Sequence, residues 1–100
     1  MITEDLELVK KIFALIESGI VHDYDSFSYE VEVGEGYLEW QLKVEINGVS
    51  VTNAETNFNG AILHSLVDEL NANAVKRGEK WVSFVMSYTH GGEVKTNFKY

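Results

Sequence analysis

Residues 26–51 read SFSYEVEVGEGYLEWQLKVEINGVSV, and the alternation in this stretch decides the fold. Phe27, Tyr29, Val31 and Val33 fall on one side of an extended chain, with Ser26, Ser28, Glu30 and Glu32 on the other. That is the period of two expected of a half-buried β-strand. Past Gly34-Glu35-Gly36 the alternation resumes, with Leu38, Trp40, Leu42, Val44 and Ile46 opposite Tyr37, Glu39, Gln41, Lys43 and Glu45. A two-residue turn at Glu35-Gly36 pairs Val33 with Leu38, Val31 with Trp40, Tyr29 with Leu42 and Phe27 with Val44. This register gathers the large apolar side chains on one face, Trp40 among them as a core residue, and a slip of one residue would scatter them. Asn47-Gly48 is the preferred dipeptide of a type I′ turn, and it pairs Ile46 with Val49 and Val44 with Val51. Three antiparallel strands are expected.

On the N-terminal side, residues 4–18 read as a helix. Thr3 can cap it, Glu4, Asp5 and Glu7 suit the positive end of its dipole, and Gly19 can stop it. Leu6, Val9, Phe13, Ile16 and Ile20 form one apolar stripe and Leu8, Ile12 and Leu15 an adjoining one. On the C-terminal side a second helix is expected from Gly60 to Arg77. Asn59 is its cap, Phe58 and Leu63 its hydrophobic staple, and Gly78 its end. Its buried stripe is Ile62, Leu63, Leu66, Val67, Leu70 and Ala74. A three-residue loop at His90-Gly91-Gly92 then aligns Val82, Phe84, Met86 and Tyr88 with Val94, Thr96, Phe98 and Tyr100. Trp81 points the opposite way from Phe84 and is expected to cap a sheet end. The order is α-β-β-β-α-β-β, which predicts an α+β fold: an antiparallel five-stranded sheet with two helices on one face.

The 100 residues bound the organisation to one domain, residues 1–100. A hydrophobic content of 45% with 24% charged residues excludes a disordered chain. No apolar run approaches the about 20 residues of a membrane-spanning helix, and Met1-Ile2-Thr3-Glu4-Asp5 lacks the basic start of a signal peptide. The absence of cysteine excludes disulfides and thiolate metal sites and fits a cytoplasmic location. Sixteen acidic against 8 basic residues give a net charge of −8. The whole excess falls in the first 45 residues, most of it between Asp23 and Glu45. Such a chain repels a nucleic-acid backbone and favours a cationic partner.

The apolar N-terminal helix, the glycine-separated hairpin, the Leu-rich second helix, Lys80-Trp81-Val82-Ser83-Phe84 and the terminal Phe98-Lys99-Tyr100 together resemble the YezG-like immunity-protein family of bacterial polymorphic toxin and contact-dependent growth inhibition systems. The resemblance covers nearly the whole chain and departs from the family pattern in its shorter length and at Val21-His22-Asp23. It implies an antitoxin that binds and neutralises a cognate toxin domain, often a nuclease, in the cytoplasm and performs no chemistry of its own.

The residues read by themselves agree with a non-enzymatic role. No catalytic set, metal site or cofactor motif is visible. His22, His64 and His90 share no ligand spacing, there is no phosphate-binding loop, and no nucleophile elbow is present. His64 is expected to bond Asp68 one helical turn on, His22 adjoins Asp23 and Asp25 in a loop, and His90 belongs to a turn. Glu30 and Glu32 share a face as a hydrolase pair would, but without an apolar pocket to raise one pKa. The partner surface is expected on the first hairpin, at Glu30, Glu32, Glu35, Tyr37, Glu39 and Glu45. There Glu32 should face Glu39, a destabilising like-charge pair, and Tyr37 offers an aromatic anchor. No direct nucleic-acid or membrane binding is expected. Two other readings stay open: a nucleic-acid-mimicking inhibitor of phage or plasmid origin, and a small-ligand module with a cavity between sheet and helices.

Overall fold

A computed structural model describes the backbone of residues 3–100 and the side chains from Glu4 onward, so Met1, Ile2 and the cap expected of the Thr3 hydroxyl lie outside the described residues. The elements are α1 (Thr3–Gly19), β1 (Ser26–Gly34), β2 (Tyr37–Ile46), β3 (Val49–Val51), α2 (Gly60–Lys76), β4 (Ser83–Thr89) and β5 (Lys95–Lys99). The five strands form one antiparallel sheet in the order β3-β2-β1-β4-β5, so the fold is α+β. Two compact units are present. The helices and the segments adjoining them, through Val21 and from Thr56 to Lys80, make one; His22–Glu55 and Trp81–Tyr100 make the other. Among the described residues no helix is long and apolar enough to cross a membrane.

In the helical unit, α1 buries Leu8, Val9, Ile12 and Ile16, and Ile20 just past its end is buried as well. The buried face lies between the two expected stripes, centred on Ile12 and Ile16. At about 100° per residue Leu6 sits roughly 100° from that centre, and it is exposed, contrary to its place in the expected stripe. The same geometry corrects Ile62. α2 buries Leu63, Val67, Leu70 and Ala74, and Ile62, about 110° from the middle of that face, is 51% exposed. Asn59 caps α2 as expected, its Oδ1 accepting from the N–H groups of Ala61 and Ile62 at 2.9 and 3.2 Å. The helix closes one residue earlier than expected, with Arg77 as its cap. Gly19 is the last residue of α1 and no left-handed cap. Its missing Cβ makes room for Phe58, whose Cδ2 lies 2.6 Å from where that atom would be. The Asn57 N–H donates to the Gly19 carbonyl at 2.8 Å beside it.

Asp5 is the buried acid of this unit, 5% exposed. The Arg77 guanidinium, 72 residues away, grips its carboxylate with Nη2 at 2.6 Å and Nη1 at 3.3 Å. That two-pronged geometry matches a planar fork to a carboxylate, and its hydrogen bond is the main cause holding the Arg77 pKa above the ordinary arginine value. His64 and Asp68 are both exposed, and no hydrogen bond joins them among the described residues. Turned to water, each side chain is solvated and the expected pair adds nothing.

In the sheet unit the expected register holds wherever a ladder forms; the connection of β4 to β5 runs from 90 to 94, longer than the three-residue loop expected, and the expected Tyr88–Val94 pair lies outside the ladder. Val33 faces Leu38, Tyr29 faces Leu42 and Phe27 faces Val44, while Phe84 faces Phe98 and Met86 faces Thr96. Asn47 and Gly48 have φ of 52° and 79°, the pair of left-handed residues that defines the type I′ turn. Phe27, Tyr29, Val31, Val44, Phe84 and Met86 are buried. Trp81 precedes β4, is buried, and sets its ring 5.9 Å from Phe84 and 5.8 Å from Phe98; it closes the strand end as expected but on the side of Phe84, because alternation does not extend to a residue outside the strand. Val82 and Tyr100, expected on the core side, are exposed, because β4 and β5 stop at Ser83 and Lys99 and the pair falls beyond the ladder.

Trp40 corrects the expectation of a core tryptophan. It lies on the same face as Val31 and sets its ring 5.8 Å from Tyr29, yet it is 50% exposed. β3 is only three residues long and pairs with Val44–Ile46. Along the rest of β2 the neighbouring row of side chains is missing, and a large residue there keeps one flank in water.

Burial pushes the Tyr29 phenol well above its ordinary value of 10.0. The folded state therefore holds this proton at pH values where the unfolded chain has released it. Stability from this group is complete below about pH 10 and falls as pH rises above it, by about 1.4 kcal/mol per pH unit. Urea unfolding between pH 8 and 11 should show that decline, and Tyr29→Phe should remove it. An equal decline in the variant would assign it elsewhere.

Candidate functional site: an acidic sheet face

The face of the sheet opposite Phe27, Tyr29 and Val31 is built by register. Across the strands Glu39 faces Glu32, which faces Ser83, which faces Lys99; the next row runs Gln41, Glu30, Val85, Asn97. The third row is Lys43, Ser28, Ser87 and Lys95, and Glu45 faces Ser26 beyond it. Charge is thus sorted: carboxylates at one corner, hydroxyls in the middle, lysines along β5.

Glu30, Glu32 and Glu39 are all exposed and, with Trp40 and Gln41, line a shallow hollow of about 240 Å³. Glu32 and Glu39 are direct cross-strand partners as expected. None of the three carboxylates has an ion-pair partner among the described residues; the acids that are paired are Asp5, Glu55 and Glu79. Like charges across a strand pair cost stability, so this corner repels itself.

The remaining candidates sit apart. Glu35 occupies the turn, and Tyr37 opens β2 opposite Gly34. Gly34 has no Cβ where the Tyr37 ring lies, and any side chain there would strike the ring. The tyrosine therefore lies across the β1 backbone and still exposes 56% of its surface. Glu45 is six residues from Glu39 along β2, about 20 Å away, with Lys43 between them. It borders a second hollow of about 180 Å³ lined by Ser26, Ser28, Ser50, Ser87 and Thr89. The expected six-residue surface is thus one carboxylate corner, an aromatic tip and a distant acid. Gln41 belongs to the corner and is absent from the expected surface, although alternation already places it on the face of Glu39; Trp40 borders the hollow but carries its side chain on the opposite face, beside Tyr29.

The loop histidine His22 approaches Glu55 at 3.6 Å, and Asp25 accepts from the Gly48 N–H at 3.2 Å, so these two groups diverge into separate contacts. His90 sets its ring 4.3 Å from Tyr24. The acidic corner offers negative potential and hydrogen-bond acceptors on an open surface. That arrangement attracts cations. No protein-family model matches the chain, and no curated protein matches it.

Proposed function

We propose that this chain is a cytoplasmic immunity protein, an antitoxin that neutralises a cognate bacterial toxin domain by one-to-one protein–protein inhibition, as its resemblance to the YezG-like family implies. The toxin is a basic nuclease, because an enzyme that holds phosphates must present a positive surface. The observation that carries this reading is the uncompensated cluster of Glu30, Glu32 and Glu39 on the open sheet face, with Glu32 set directly against Glu39. Selection for stability alone would place a lysine in one of those positions; a waiting cationic partner explains both glutamates.

The test is titration against the toxin encoded beside this chain's gene, read as residual nuclease activity. Activity should fall linearly and vanish at about one equivalent, as for a complex far tighter than the concentrations used. Protection at a small fraction of an equivalent would signal turnover and overturn the inhibitor reading.

A further inference from the structure

The outer edge of β2 is longer than the strand that covers it. β3 pairs with Val44–Ile46 alone, and from Tyr37 to Lys43 no strand flanks that edge among the described residues. The direction of its backbone groups follows from the neighbouring ladder. The Val33 N–H donates to the Val82 carbonyl at 2.9 Å, so odd-numbered residues of β1 turn their polar groups to β4 and even-numbered ones to β2. Glu30 and Glu32 therefore bond Gln41 and Glu39. By alternation Leu38 and Leu42 direct their N–H and C=O groups away from β1, over the open edge. At about 3.3 Å per residue, Tyr37–Lys43 offers about 23 Å of it.

We infer that this edge receives an extended, alternately basic and apolar segment of a partner protein, which joins the sheet as an antiparallel strand beside β2, like every other pairing of the sheet. The inference rests on the reading of the acidic face as the partner surface and adds how the partner is held. Side chains of an added strand alternate between faces. Those on the outer face would stand beside Glu39 and Gln41, one strand from Glu30 and Glu32, where unpaired carboxylates call for lysine or arginine. Those on the other face would stand beside Leu38, Leu42 and the half-exposed Trp40, where apolar residues fit. A second copy of this chain is the poorer occupant. It would bring another net charge of −8 to the same edge and set its own glutamates among these.

The probe is the acetylated and amidated peptide Lys-Val-Lys-Val-Lys-Val-Lys, added to the full chain while amide exchange is followed by NMR. At about nine times the peptide's dissociation constant, exchange at Leu38 and Leu42 should slow about tenfold. The same peptide with glutamate for lysine should leave both amides unchanged. So should the peptide N-methylated at its valines, whose N–H groups would face β2. If the N-methylated peptide bound as well as its parent, the acidic corner would attract cations without strand addition. That outcome overturns the inference and leaves the inhibitor reading to its own titration. Absence of protection at Leu38 and Leu42 up to the peptide's solubility limit overturns it too. Protection that rises with protein concentration in the peptide-free chain would assign the edge to a second copy, and the inference would fall with it.

Discussion

Phe84→Ala should bring this protein close to unfolding at 37 °C. Phe84 is fully buried in β4, between Val31 on one side and Phe98 on the other. Its ring lies 5.0 Å from that of Phe98 and 5.9 Å from that of Trp81. Truncation removes the transfer free energy of the ring and leaves a cavity beneath two other aromatics that the backbone ladder prevents from collapsing. Such changes cost about 3–5 kcal/mol. The whole stability of a domain this size is about 5–15 kcal/mol, and each kcal/mol moves the melting temperature by about 4–8 °C. A fall of about 12 °C or more is therefore expected, with the urea midpoint shifted and the m-value unchanged. Phe98→Ala is the control, since Phe98 in the edge strand β5 is half-buried and already meets water. A similar loss in both variants would mean that the aromatic cluster is not centred on Phe84.

The sheet is legible in the chain because two local signals agree. The alternation of residues 27–33 and 38–46 specifies faces, and the two turns specify offsets, so register follows without tertiary knowledge. The clustering of Glu30, Glu32 and Glu39 comes with the register. Alternation tells which way a side chain points; it does not tell how far the next strand runs, and the exposure of Trp40 is hidden for that reason. Leu6 and Ile62 depart from expectation for a related cause. An apolar stripe marks a sector of a helix, and its margins are settled by what packs there. Asp5 is a first-turn acid in the sequence, and nothing local in its neighbourhood can announce a guanidinium 72 residues away. The lodging of the Tyr37 ring over Gly34 is equally hidden, since a glycine beside a turn is expected on turn grounds alone.

Converting Glu30, Glu32 and Glu39 together to lysine should reduce association with a basic partner by about 10–100-fold at low salt. Each exposed ion pair contributes about 1 kcal/mol or less. Reversal also replaces attraction by repulsion, and the three groups share one hollow and act on one approach path. The effect belongs mainly to the association rate, because long-range potential steers encounter while short contacts hold the complex. It should fade as ionic strength rises, since the field is screened over about 10 Å at about 0.1 M salt. The fold should survive, because all three side chains are exposed. Glu39→Lys alone provides the opposing measurement. Opposite Glu32 it exchanges a repulsive pair for an attractive one and should stabilise the hairpin by a few tenths of a kcal/mol. A substitution that strengthens the fold and weakens the partner separates the two pressures on this corner. The same reversal at Asp23 and Asp25, in the loop before β1, is the comparison for charge placed elsewhere. If the triple variant kept its rate and salt slope, or if the loop variant lost as much, the corner would be an ordinary solvated sheet surface and the attraction a property of net charge alone.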